Sequence, residues 1–143
     1  MRVLSLLYHD VVTDELDASG FPGPGPARYK LTVDEFGRHL EAFAAAGVEH
    51  PVTVSELATV PPESPPFLLT FDDGGSSAVR AADMLDERGW LGHFLITVKP
   101  IGTRGFVSAG DIRDLRRRGH TIGSHSFSHP DPMSHCRLEV LLD

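Results

Sequence analysis

Short runs of large apolar residues alternate along this chain with segments in which apolar residues recur every three or four positions. The run FLLTF at 67–71 is almost continuously apolar, which is typical of a strand buried on both faces of a parallel sheet. The sequence RVLSLLY at 2–8 is predicted to form another short buried strand. Three more short strands are predicted, namely PVTVSEL (51–57), HFLIT (93–97) and HTIGS (120–124).

Helical periodicity is clearest after residue 31. Thr32 and Glu35 have the spacing of a capping box, and Gly47 stands where the residue after a helix C-terminus is expected. Two more helices with similar start and stop signals are predicted, at about 76–88 and about 108–118. Strands that alternate with helices of this length indicate parallel βαβ units and therefore an α/β fold.

Two stretches rich in Gly and Pro interrupt this alternation. Residues 17–30 are predicted to form a loop, and residues 60–66 (VPPESPP) a stiff connector. The total length of 143 residues is that of one domain, so a single domain over 1–143 is expected.

Composition excludes several classes of function. The chain has 13 Lys and Arg against 20 Asp and Glu, and its net charge of −7 disfavours a nucleic acid partner. Its single cysteine, Cys136, cannot form an internal disulfide. No stretch approaches the roughly 18 apolar residues of a membrane helix, and the first ten residues are too short for a signal peptide core. We therefore expect no membrane span and a cytoplasmic location.

Candidate chemistry is concentrated after two of the predicted strands. Asp72 and Asp73 follow FLLTF directly, and His125 and His129 follow HTIGS at a spacing of four residues. Because ligands bind at the carboxyl ends of strands in parallel α/β folds, we expect these four side chains to meet. His9, at the end of the first strand, could reach the same edge and contact substrate, or it could serve packing alone.

Two imidazoles and one carboxylate are a common ligand set for a catalytic zinc or similar divalent ion. The second carboxylate could then take a proton from a metal-bound water. The residues alone do not say which aspartate has which role. Each motif also has a simpler explanation, because Asp-Asp-Gly-Gly is a common turn and a His-x-x-x-His spacing can arise by chance among 8 histidines. Their combination at two strand ends favours a metal site.

The stretches LLTFDDGGSS and GHTIGSHSFSH resemble the first two motifs of the polysaccharide deacetylases, the NodB-homology carbohydrate esterases. The resemblance covers about residues 67–131. It implies a parallel-strand, distorted (β/α) barrel. It also implies that Asp72 is the general base and that the ligands of a divalent metal, most often Zn with Co, Ni or Mn as alternatives, are Asp73, His125 and His129.

The resemblance further implies a hydrolase of carbon–nitrogen bonds other than peptide bonds, with an N-acetylated carbohydrate as substrate. A small or cyclic amide is an alternative substrate, and a truncated, non-catalytic, metal-binding remnant is an alternative function. The family's later motifs, including the Leu-x-His that supplies its general acid, cannot be placed before Asp143. We therefore expect an incomplete barrel, truncated at the C-terminus, whose exposed strand edge could pair in a homo-oligomer.

Overall fold

The structure, a computed structural model, describes residues 2–47, 50–59, 66–130 and 136–141. Within these residues the chain forms six strands and four α-helices. The strands are β1 (Leu4–Tyr8), β2 (Val11–Val12), β3 (Leu31–Thr32), β4 (Phe67–Phe71), β5 (His93–Ile96) and β6 (Thr121–Ser124). The α-helices are α1 (Val33–Ala45), α2 (Ala78–Asp86), α3 (Ala109–Arg117) and α4 (Leu138–Leu141).

The main sheet has four strands in the order β1-β4-β5-β6, and all of its pairings are parallel. Strands β2 and β3 form a separate parallel pair that the sequence analysis missed, because two-residue strands leave no periodicity to detect. The α/β class is confirmed, and within the described residues the strands do not close into a barrel. Parallel pairing places the carboxyl ends of β4, β5 and β6 along one edge.

The core lies around β4, as its continuous apolar sequence predicts. Leu69 and Phe71 are fully buried, and the Phe71 ring stacks on Phe94 of β5 at a centroid distance of 4.8 Å. Phe36 and Leu40 of α1 join the same cluster. Burial of these large side chains from both faces of the sheet is the main source of stability for β4.

Strand β1 differs from the prediction of a buried strand. It pairs with β4 along its whole length, but Leu4 and Leu7 are 54% and 55% exposed. The strand lies at the edge of the sheet, so apolar residues that a central strand would bury remain open to solvent. Tyr8 is the one residue of β1 that is fully within the core.

The prediction of a strand at 51–57 is wrong. Residues Val54–Thr59 form a 3₁₀ helix. Thr53 starts this helix, since its backbone N–H and its hydroxyl both donate to the Glu56 carboxylate, at 2.7 and 2.8 Å. Thr53 and Glu56 have the Thr-x-x-Glu spacing of a capping box, and this signal outweighs the strand preference of the β-branched residues around it. Most of the predicted connector at 60–66 lies outside the described residues.

The three predicted helices are confirmed. The capping boxes of Thr32 with Glu35 and of Ser108 with Asp111 are both formed, and Gly47 has a φ of +79° after α1. Helix α2 begins at Ala78, two residues later than predicted. None of the helices in the described part of the chain is long and apolar enough to cross a membrane.

Two histidines that the sequence left without a role are structural. The His93 ring accepts a hydrogen bond from Val54 N–H at 3.0 Å and lies 3.1 Å from the Leu69 carbonyl. The His120 ring is fully buried and accepts a hydrogen bond from Gly92 N–H at 3.2 Å. Burial lowers the pKa of His120, which favours the neutral form of this imidazole.

The predicted loop at 17–30 contains two short 3₁₀ helices, Leu16–Ala18 and Pro26–Tyr29. It is organised around the buried ammonium group of Lys30. Lys30 Nζ donates hydrogen bonds to the carbonyl oxygens of Leu16 (2.6 Å), Ser19 (2.6 Å) and Phe21 (2.9 Å). All three of its hydrogens are thereby used to hold the loop in one conformation.

Replacing Lys30 with methionine should lower the free energy of unfolding by about 2–3 kcal/mol, because hydrogen bonds to a charged group are each worth about 1.5–3 kcal/mol and water can replace only some of them. Urea unfolding measures this change. Arg28→Met is the matched control, since Arg28 is exposed on the same loop and should have little effect. Equal stability of the two variants would contradict the role given to Lys30.

Candidate metal centre

The loops that follow β4 and β6 are both attached to the end of β5, the strand that lies between them. Thr97 N–H donates to the Asp73 carbonyl at 3.2 Å, and His125 N–H donates to the Ile96 carbonyl at 2.9 Å. These bonds bring the residues after two non-adjacent strands to the same place.

Asp73, His125 and His129 lie close enough to share one ion. Asp73 Oδ1 is 3.5 Å from His125 Nε2 and 3.3 Å from His129 Nε2. One ligand atom from each of the three residues lies within 4.8 Å of the other two. Atoms bound to one tetrahedral zinc at about 2.0–2.1 Å are about 3.4 Å apart, so the spacing fits a small divalent cation.

The backbone at this site adopts conformations that are uncommon outside glycine. Asp73, Ser126 and His129 have φ angles of +73°, +66° and +53°. Left-handed conformations of non-glycine residues are strained, although aspartate and histidine tolerate them better than most, and such strain is concentrated at functional sites. Ser126 Oγ supports the turn by accepting a hydrogen bond from His129 N–H at 3.0 Å.

Asp72 lies beside this group with one oxygen left unsatisfied. Its Oδ2 is 3.8 Å from His125 Nε2, while its Oδ1 is buried without a hydrogen-bond partner, as is Asp73 Oδ1. Burial raises the pKa of the Asp72 carboxyl, and the nearby His125 and His9 act in the opposite direction. Two buried carboxylate oxygens without hydrogen donors fit the neighbourhood of a cation.

The glycines after Asp73 are required by close packing. A Cβ atom on Gly75 would lie 2.0 Å from Asp10 Oδ1, and one on Gly74 would lie 2.9 Å from the side chain of Ile96. Gly74 also has a φ of +77°. The turn that carries the two aspartates therefore tolerates no side chain at either position.

Asp10 is a residue of this region that sequence reasoning missed. It is 3% exposed, and its Oδ1 accepts hydrogen bonds from Ser19 Oγ (2.6 Å) and Ser77 Oγ (2.7 Å). Ser77 N–H in turn donates to Ser19 Oγ at 2.7 Å. This network joins the loop at 17–30 to the start of α2. A carboxylate directly after the first strand was the available signal.

His9 faces a cavity of about 430 Å³ that adjoins the three-residue group, and Asp73 and His129 line the same cavity. Its ring stacks on Tyr29 at a centroid distance of 5.1 Å. The structure thus places all five predicted site residues around one region, with Asp73 nearest to both imidazoles. Trp90 and Phe94 are buried in the core and do not line this cavity.

Solved structures from several bacteria have the same fold. A polysaccharide deacetylase from Bacillus cereus has 17% identity and a TM-score of 0.76, over 96% of this chain and 43% of its own. The deacetylase PplD from Streptococcus pyogenes, in complex with acetate, has 16% identity and a TM-score of 0.73. The match covers 98% of this chain and 62% of PplD. IcaB from Ammonifex degensii has 24% identity and a TM-score of 0.68, and the match covers 87% of this chain and 52% of IcaB. The chain therefore spans roughly half the length of these structures.

No curated protein sequence matches the chain significantly. The family model described as polysaccharide deacetylase, however, matches residues 59–141, which include both motifs and more than half of the chain. The parallel sheet, the two strand-end motifs and this match agree, and the chain belongs to the polysaccharide deacetylase family.

Proposed function

We propose that this chain carries the metal site of a hydrolase that removes N-acetyl groups from an amino sugar or polysaccharide, cleaving a carbon–nitrogen bond that is not a peptide bond. The convergence of Asp73, His125 and His129 next to Asp72 is the observation that carries this proposal. Family membership supports an acetylated carbohydrate as the substrate.

Asp73, His125 and His129 would hold the cation. Two imidazoles and one carboxylate suit Zn²⁺ best, with Co²⁺, Ni²⁺ or Mn²⁺ as alternatives. When bound, such an ion polarises the amide carbonyl and makes a water molecule more acidic. Three protein ligands leave room for water or substrate, and the site has access to the cavity that Asp73 and His129 line.

Asp72 would act as the general base. A carboxylate whose pKa is raised by burial accepts a proton more readily than an exposed one, and Asp72 Oδ1 has no competing hydrogen-bond donor. Asp72 would take the proton of the attacking water. We assign His9 a contact with the substrate, because it lines the cavity that adjoins Asp73.

Removal of the metal provides the first test. Treatment with a chelator should abolish acetate release from N-acetylglucosamine oligomers, and one equivalent of Zn²⁺ should restore it. Zn²⁺ should also raise the melting temperature, since a ligand at about 1,000 times its Kd stabilises the folded state by about 4 kcal/mol.

The other outcomes separate the alternatives. Binding of one Zn²⁺ without release of acetate would indicate a non-catalytic metal-binding remnant. Hydrolysis of a cyclic amide but not of the oligomers would indicate the small-amide substrate. Acetate release that survives complete removal of the metal would contradict the proposal.

A further inference from the structure

The turn after β4, which carries Asp72 and Asp73, depends on contacts with other parts of the chain. Asp73 and Gly74 both have left-handed backbone conformations, with φ angles of +73° and +77°. Such a conformation is unfavourable for an aspartate and persists only where the surrounding structure holds it. Thr97 N–H donates to the Asp73 carbonyl at 3.2 Å, and Val107 N–H donates to the Gly74 carbonyl at 3.1 Å. These two amides hold the turn from the side of β5.

On another side, the turn packs against the carboxylate of Asp10. A Cβ atom on Gly75 would lie 2.0 Å from Asp10 Oδ1, and one on Gly20 would lie 2.0 Å from Asp10 Oδ2. The two carboxylate oxygens thus fill the space that side chains on these two glycines would need. Asp10 therefore lies between the turn after β4 and the loop at 17–30, in contact with both.

Two buried serines fix the Asp10 carboxylate in this place. Ser19 Oγ and Ser77 Oγ both donate to Asp10 Oδ1, at 2.6 and 2.7 Å. Ser19 Oγ accepts a hydrogen bond from Ser77 N–H at 2.7 Å, and Ser77 Oγ accepts one from Val11 N–H at 3.1 Å. Each hydroxyl is therefore both a donor and an acceptor, which leaves a single arrangement of the hydrogens. We call Asp10, Ser19 and Ser77 the Asp10 network.

Ser77 does not have the usual role of a serine before a helix. It directly precedes α2, yet its hydroxyl makes no capping bond to that helix. Ser108, at the same position before α3, forms a complete capping box. The Ser77 hydroxyl is thus used to bind Asp10 instead of stabilising its own helix.

The Asp10 network lies next to the ligand group without belonging to it. The group that could hold a cation consists of Asp73, His125 and His129. Ser77 comes four residues after Asp73, so its bond to Asp10 fixes the far end of the turn, while β4 fixes the near end. Functional groups must be held within about 0.5 Å of their productive positions. Loss of the bond at the far end should therefore weaken metal binding.

We propose that the Asp10 network positions the turn of Asp72 and Asp73, so that Asp10, Ser19 and Ser77 are positioning residues for the metal site. The proposal rests on the proposed metal-dependent function, because that function supplies the cation. It adds that the geometry of the site depends on a buried carboxylate outside the ligand group.

Ser77→Ala tests the proposal, with Ser108→Ala as the matched control. Both variants lose a serine hydroxyl directly before a helix, and Ser108→Ala destabilises the chain through its lost cap. Ser77→Ala should lower Zn²⁺ affinity about tenfold, as mutation of a residue that orients a metal ligand does. Ser108→Ala should keep Zn²⁺ affinity within about twofold. Competition with a chromophoric chelator measures both affinities.

Hydrogen exchange of the metal-free chain gives a second measurement, which needs no cation. The amides of Thr97 and Val107 donate to the turn, so they should exchange at least about tenfold faster in Ser77→Ala and at nearly the original rate in Ser108→Ala. Unchanged exchange of both amides in Ser77→Ala overturns the proposal.

Variants of Asp10 test the same network from its centre. Asparagine retains an oxygen that can accept from both serines, whereas alanine does not. Zn²⁺ affinity should therefore fall at least about threefold less in Asp10→Asn than in Asp10→Ala. If Asp10→Ala does not fold, Asp10→Asn is compared with the unmodified chain and should stay within about threefold of it. A larger loss in Asp10→Asn overturns the proposal.

The remaining outcomes separate this proposal from the proposed function. If Ser77→Ala lowers Zn²⁺ affinity as expected but no chain releases acetate, the positioning role stands and the hydrolase function fails. If acetate is released and Ser77→Ala binds Zn²⁺ like the unmodified chain, the positioning role is overturned and the function stands. An equal loss of Zn²⁺ affinity in Ser77→Ala and Ser108→Ala also overturns the positioning role, since it would reflect stability alone.

Discussion

Replacing His125 with alanine should lower the affinity of the chain for Zn²⁺ at least about 100-fold, and acetate release should be lost with it. Mutation of a residue that only orients a metal ligand lowers metal affinity about 10–100-fold, so loss of a direct ligand should lower it further. His125 Nε2 lies 3.5 Å from Asp73 Oδ1, and no other imidazole in the described residues is placed to replace it beside His129.

Competition with a chromophoric chelator measures this loss. His50→Ala is the matched control, because His50 is exposed and outside the three-residue group, and it should leave Zn²⁺ affinity unchanged. The melting temperature without metal should also change little in His125→Ala, since this partly exposed side chain contributes no core packing. Unchanged Zn²⁺ affinity in His125→Ala would show that the three residues are not the metal site.

Replacing Asp72 with asparagine should reduce acetate release by about 10²–10⁴-fold, the range expected for loss of a general base. Asparagine keeps the shape of the side chain but does not accept a proton at neutral pH. Zn²⁺ affinity should stay within about tenfold of the original, because Asp72 lies outside the three-residue group and contributes through its charge alone.

The expected result is a large loss of acetate release without a comparable loss of Zn²⁺ affinity. Asp34→Asn serves as the control. Asp34 is exposed in the first turn of α1, and its replacement removes the same charge outside the three-residue group. Loss of Zn²⁺ binding in Asp72→Asn, comparable to the loss in His125→Ala, would mean that Asp72 is itself a metal ligand. Full activity in Asp72→Asn would assign the proton transfer to another group.

Local signals in the sequence predict the helices because residues close together in the chain decide where each helix starts and ends. The capping boxes at Thr32 and Ser108 satisfy backbone donors within one turn, so no distant part of the chain is needed to form them. At 51–57 the β-branched residues predict a strand, but the same kind of capping signal at Thr53 and Glu56 decides the local structure.

Burial was harder to predict than secondary structure. FLLTF and RVLSLLY have similar apolar content, yet β4 is central and buried while β1 has both Leu4 and Leu7 exposed. The position of a strand within a sheet depends on which strands pair, and that information is spread over the whole chain. For the same reason the sequence does not predict the role of Asp10, whose partners Ser19 and Ser77 are 9 and 67 residues away.

The amino-acid sequence by itself determined the α/β alternation, the helix ends and the two groups of chemically active residues after β4 and β6. These follow from periodicity, capping and the rule that parallel strands present their carboxyl ends at one edge. The tertiary structure alone decided the distances between Asp73 and the two imidazoles. It alone also decided that Asp72 keeps a buried oxygen without a partner, and that Lys30 holds an aromatic loop beside them. Such features depend on distances between residues far apart in the chain, which only the packed fold sets.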